Sequence, residues 1–149
     1  MRIPPSLGMI LATLARRPLA YAWALPCTAL GLVFGAAALA CGGSSRIVAG
    51  SVEVALPAWA RRMRWPFDAI TFGHVILGRD PHVLGVLRAH EQVHVRQYER
   101  WGVFFLVAYP LASAWQWLRG GDAYWDNMFE VEARADATMP HGQNDFPRT

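Results

Sequence analysis

The chain has 149 residues, which suits one domain with a modest core and is short for two. It is 54% hydrophobic, and its formal charge of +3 comes with arginine as the sole basic residue besides histidine. A charge so small and scattered argues against nucleic acid as a partner, and two cysteines make neither a disulfide framework nor a zinc set.

Residues 18–41, "PLAYAWALPCTALGLVFGAAALAC", carry no charge over 24 residues, where about 20 suffice to span a bilayer core. Cys27 and Cys41 both lie in this run; on a helix they stand about 21 Å apart, too far for a disulfide. Arg2, Arg16 and Arg17 precede it. Three readings compete: an uncleaved transmembrane anchor, a signal peptide cut after Ala38-Leu39-Ala40, and a lipoprotein signal ending at Cys41. The long lead and the long apolar run favour the anchor, assigned to residues 1–43. Pro26 kinks such a helix without forbidding it. The positive-inside rule then keeps the N-terminus cytoplasmic and puts the rest outside. Arg61, Arg62 and Arg64, interleaved with Trp59 and Trp65, suit anionic headgroups or a plain solvated face.

"GGSSR" at 42–46 is a flexible break, and a domain of residues 44–139 follows. "RIVAGSVEVAL" reads as two short strands around Gly50, and residues 69–77 read as a further strand. Together they predict a short antiparallel sheet. Asp80-Pro81 marks a helix start, with aspartate at the cap and proline in the first turn. That helix should run from about 81 to 101 and stop at Gly102. A second apolar run at 103–118 has Pro110 in its middle. "RGGD" at 119–122 is a loop, a last helix covers about 126–138, and Met139-Pro140 ends it. Residues 140–149 are a tail. The fold class is therefore α+β: an apolar N-terminal helix, a small sheet, and a helical core.

The chemistry sits at His90-Glu91-x-x-His94. Residues four apart on a helix lie side by side one turn up, so both imidazoles can reach one ion at zinc–nitrogen bonding distance. Glu91 stands beside that ion without binding it, placed to take a proton from water. Leu87, His90, His94, Tyr98 and Trp101 form one stripe, so the histidines share a face with residues that must be buried. Two buried imidazoles need partners. A metal satisfies both; the plainer alternative is a pair of core histidines bonded to carbonyls or carboxylates. On the last helix Glu132 and Asp136 are again four apart. Glu132 is the expected third ligand, and Asp136 the expected acceptor for the second ring proton of a ligating histidine. The alternative there is a solvated acidic face with a Glu130–Arg134 ion pair.

His90-Glu91-x-x-His94 followed by Glu132-x-x-Ala135-Asp136 resembles the gluzincin zinc metallopeptidases, whose pattern is H-E-x-x-H on one helix and E-x-x-x-D on the next. The likeness covers about residues 68–138. It implies a zincin-like core, a substrate-binding edge strand at 69–77, Zn²⁺ held by His90, His94 and Glu132, Glu91 as general base, and a peptide or protein substrate.

For Glu132 to meet the histidines, the run at 103–118 cannot cross a bilayer once; it packs as a hairpin arm or dips into the interface and returns. Trp115 and Trp117 suit an interface or a core. His74, Tyr98 and Tyr109 are candidates for a second oxyanion donor, although a histidine satisfied within the sheet is the plainer reading of His74. His82 and His141 read as surface residues. Beside the membrane-anchored peptidase stand two rivals: a zinc-stapled module without catalysis, and a membrane structural protein whose motif is incidental.

Overall fold

The computed structural model describes residues 7–63 and 66–137. The expectations placed on Arg61, Arg64, Trp65, Met139-Pro140, His141 and the tail fall on residues or side chains outside this description.

Helix α1 (Leu7–Ala40) runs unbroken through Pro18 and Pro26. Its packed side is a stripe of small residues: Ala24, Cys27, Gly31, Gly35 and Ala38 are all buried. Gly31 is required by close approach, since a Cβ there would stand 2.7 Å from the Val75 Cβ. The large side chains point away, with Leu19 70% and Val33 65% exposed. A soluble amphipathic helix buries its large apolar residues; this one inverts the pattern, as helices in lipid do. Within it, Pro18–Ala40 is the one helical segment among the described residues long and apolar enough to cross a membrane.

Strands β1 (Ser44–Val48), β2 (Ser51–Ala55), β3 (Ala69–Phe72) and β4 (Val75–Gly78) form one sheet in the order β1-β2-β4-β3. The β1–β2 hairpin turns at Ala49-Gly50, where both residues have positive φ, the requirement of a two-residue I′ turn. The run expected as one strand is two, because Gly73 at φ 58° opens a tight turn between Phe72 and Val75. The sheet is also not wholly antiparallel, since β2 and β4 pair in parallel. The physical reason is burial. Every residue of β4 is buried whereas most of β3 is only partly so. The apolar half of the hairpin therefore takes the interior place beside β2, and β3 becomes the edge.

Helix α2 (Pro81–Trp101) begins as its sequence dictates: Asp80 Oδ1 accepts from the backbone N–H of His82 at 2.8 Å and of Val83 at 2.9 Å. Gly102, at φ 57°, ends it. A 3-10 turn (Gly102–Phe104) leads into α3 (Phe105–Leu118), and α4 (Met128–Ala137) returns. The buried Asn127 ties α4 to α3. Its Nδ2 donates to Ser113 Oγ and the Tyr109 carbonyl, while its Oδ1 accepts from the N–H of Phe129.

The layers follow from strand alternation. Val54, Val75 and Leu77 meet α1 on one face of the sheet; Ala55 and Ile76 meet Leu84 and Val95 of α2 on the other. A third cluster joins Ala24 and Cys27 to Tyr98, Phe105 and Phe129. Trp115 and Trp117 belong to no core, being 58% and 70% exposed. Cys27 and Cys41 are free thiols, the first buried and the second exposed.

Candidate metal centre

The buried face of α2 carries His90, Glu91, His94 and Gln97 toward α4 and the β3 edge. The two histidines meet as their spacing requires: Nε2 of His94 lies 3.1 Å from Nε2 of His90. Glu130 closes the group, with Oε2 3.1 Å from His90 Nε2 and Oε1 3.3 Å from His94 Nε2. One donor atom from each of the three lies within 4.8 Å of the others, and all three residues are buried. This group can hold a metal ion.

The residues fit such an ion on their own chemistry. Gln97 donates through Nε2 to the Phe129 carbonyl and to Glu132 Oε2. Both partners are acceptors, which fixes the amide orientation and presents Gln97 Oε1 to His94 Nδ1 at 2.7 Å. His94 Nδ1 therefore carries a proton, and in the neutral ring Nε2 offers its lone pair to the cluster. Glu130 Oε2 is buried and makes no well-aligned hydrogen bond among the described residues, its nearest polar neighbour being His90 Nε2 at 3.1 Å, although buried polar atoms are normally satisfied. A cation between the three donors would satisfy that oxygen and the His94 Nε2 lone pair together.

Electrostatics agree. Burial works against the Glu130 carboxylate, yet hydrogen bonds with His90 and His94, the His94 charge and the Tyr109 hydroxyl hold its pKa far below the usual range. Burial also works against a charged His94, but its hydrogen bond with Glu130 and the charges of Glu91 and Glu130 hold its pKa above the ordinary value. Metal must compete with protons for these donors, so affinity rises with pH. Tyr109 donates its hydroxyl to Glu130 Oε1 at 2.6 Å; burial, then this bond, push its pKa up. Tyr109 is thereby committed to the carboxylate.

Two side chains expected at the site do not reach the histidines. Glu132 does not join the histidines: Oε2 accepts from Gln97 and Oε1 from Arg100 at 3.0 Å. Two residues along a helix is about 200° round it, so α4 can aim only one of these glutamates inward. Phe129 and Ala133 are buried and Val131 is 50% exposed, which sets the phase and turns Glu130 in. Asp136 is exposed and faces Arg96 at 3.6 Å; the ring-proton acceptor expected of it is Gln97. The Glu130–Arg134 pair is present, but at 4.0 Å. Arg134 also lies over the Trp125 ring at 4.7 Å.

Glu91 is buried beside the triad, and its Oε2 accepts from Thr71 Oγ1 of β3 at 2.7 Å. A cleft of about 630 Å³ opens over these groups, walled by Ile70 and Phe72 of β3, Leu106 and Pro110 of α3, and Tyr124 and Trp125 of the following loop. Tyr98 also lines it but is buried. His74 lies away from the cleft, in the β3–β4 turn. It stacks on Tyr21 and bonds Thr28 Oγ1 at 3.2 Å and Glu99 Oε1 at 3.1 Å. His82 is exposed in the first turn of α2.

No protein-family profile matches the chain, and neither does any curated protein or solved structure compared with it. The gluzincin likeness thus rests on the motif residues alone.

Proposed function

We propose that the protein is a zinc-dependent hydrolase of peptide bonds, attached to a membrane through α1. The observation that carries this reading is the convergence of His90, His94 and Glu130 beneath an apolar cleft, with a non-ligating glutamate beside them. Two imidazoles and one carboxylate are a donor set suited to zinc with a position left open. An ion held there supplies Lewis acidity, which acidifies water and polarises a carbonyl.

The chain's own residues do the rest. Glu91 takes the proton of the attacking water and hands it to the leaving amine. Thr71 holds one oxygen of that carboxylate, which keeps the other directed toward the cleft. Gln97 orients His94. The outer edge of β3 has no strand partner among the described residues, so an extended polypeptide has main-chain groups to pair with along the cleft wall. Ile70, Phe72 and Leu106 exclude water from its side chains.

The test is Glu91→Gln in the full chain. Zinc should stay stoichiometric while turnover of a peptide substrate falls about 10²–10⁴-fold. Unchanged turnover removes the mechanism. A second reading, zinc as a staple without catalysis, is favoured by one observation: the triad joins α2 to α4 in a small domain. On that reading Glu91→Gln is silent and His94→Ala unfolds the domain.

A further inference from the structure

Two apolar faces that cover no core, on α1 and α3, adjoin each other. On α1, Leu19, Leu25 and Val33 are exposed; on and just before α3, Phe104, Leu111 and Trp115 are exposed. The two sets meet where Trp23 of α1 packs on Phe104, ring centres 6.0 Å apart. The small-residue stripe of α1, meanwhile, is engaged along nearly its whole candidate span. Cys27 lies 3.8 Å from the Gly102 carbonyl, Thr28 bonds His74, Gly31 touches Val75, and Gly35 touches Val54.

That engagement decides how α1 meets lipid. A helix crossing the bilayer over Pro18–Ala40 would draw the attached sheet into hydrocarbon. Among the described residues the sheet has open edges at β1 and β3, and it holds Glu53 between Arg46 and Arg88. Open edges do not survive there, and charges are expensive. Lying flat, with the small stripe against the sheet and the large side chains in lipid, avoids both costs. Trp115, Trp117 and Arg119 at the far end of α3 suit the headgroup level.

We propose that α1 and α3 form an apolar floor lying in the surface of a bilayer, and that the cleft therefore acts on polypeptide held at that surface. The floor borders the cleft on both sides: Leu106 and Pro110 of α3 line it, and Phe34 of α1 packs on Phe72 of its β3 wall at 5.6 Å. The substrate half of this proposal rests on the hydrolase reading above; the floor itself does not.

The test uses the full chain bound to sealed phosphatidylcholine vesicles. An N-terminal epitope tag and the exposed native thiol Cys41 flank α1; both should react with impermeant reagents from the same side. Reaction from opposite sides means that α1 crosses, and overturns the floor. Brominated phosphatidylcholine should quench tryptophan emission, with Trp115→Phe reducing the quenched share; no reduction removes α3 from the floor. Protein that stays off vesicles as a stable dimer means that a second copy covers this face, which also overturns it. For the substrate, a palmitoylated fluorogenic peptide on the vesicles should be cleaved on the order of tenfold faster than the same peptide unacylated. Equal rates overturn the surface preference and leave the hydrolase standing. Cleavage of neither peptide by a correctly placed, zinc-loaded protein overturns the hydrolase reading, and the substrate class with it.

Discussion

Glu53 and Glu130 approach α2 from different sides and are both buried, yet their surroundings could hardly differ more. Glu53 is saturated by permanent cations: Arg46 Nε at 2.6 Å, Arg88 Nε at 2.8 Å and Arg88 Nη2 at 3.2 Å. Burial opposes its charge, but the two guanidinium groups hold its pKa below the ordinary carboxyl value. Glu130 faces no guanidinium as close as these but two imidazole nitrogens, at 3.1 and 3.3 Å. The first arrangement is closed and can only pin β2 to α2. The second is a set of lone pairs pointed at one place, which is what a metal needs.

The largest expected effect separates the two glutamates of α4. Glu130→Gln should weaken zinc binding by about 10³-fold or more, beyond the 10–100-fold of outer partners. Glu132→Gln should leave it within about twofold, since that side chain serves Gln97 and Arg100. Zinc titration of the two variants decides it, and a reversed order would return Glu132 to the role its motif suggested. Metal-free Glu130→Gln should also lose stability, because the fold holds that carboxylate charged through His90, His94 and Tyr109.

Glu53→Gln parts stability from zinc binding. Zinc affinity should not move, while both forms lose about 1.5–3 kcal/mol, because charged hydrogen bonds from two partly exposed arginines are weakened. The sign with pH is set by its lowered pKa, against a model-peptide value of 4.5. The stability that Glu53 contributes is fully present above that value and lost as pH falls through the lower folded value. Chemical denaturation from pH 7 to pH 3 should therefore show the parent and the variant converging in acid. Parallel curves would mean that the arginines contribute nothing to folding.

How far these sites were legible follows from the same contrast. Asp80-Pro81 and Gly102 bound α2 by local chemistry alone, and the four-residue step fixes His90 beside His94 whatever else packs nearby. Where β4 sits depends on tertiary burial, which a strand-like run cannot express; Gly73 was the available signal for the hairpin. The phase of α4 was ambiguous because Met128, Phe129, Val131, Ala133 and Ala135 mark no single face. Only the pairing of Phe129 with Ala133, which flank Glu130, held a hint of the inward glutamate. Gln97, three residues past His94 and on its face, was readable as a partner by helical spacing. Thr71 was not, since its contact joins the sheet to a helix twenty residues away.

Gln97→Leu keeps the volume and removes the acceptor for His94 Nδ1–H. Zinc affinity should fall about 10–100-fold, a smaller loss than for Glu130→Gln because no ligand is removed. A parent-like affinity in Gln97→Leu would show that packing alone orients the ring, and the contrast between the two buried carboxylates would then rest on Glu130 only.

The smallest effect concerns the bond that crosses from β3 to α2. Thr71→Val is close to isosteric and leaves the Glu91 carboxylate without its hydroxyl donor. A hydrogen bond to a charged group contributes about 1.5–3 kcal/mol net, part of which water in the open cleft restores. The expected result is a fall in kcat of about tenfold, with KM and zinc content unchanged, since Thr71 holds Glu91 and touches no ligand of the metal. Thr71→Ser, which keeps the hydroxyl, should recover most of the rate. A merely structural role would move the unfolding midpoint of both variants and leave kcat alone. Such a result would mean that the edge strand shapes the cleft without positioning Glu91.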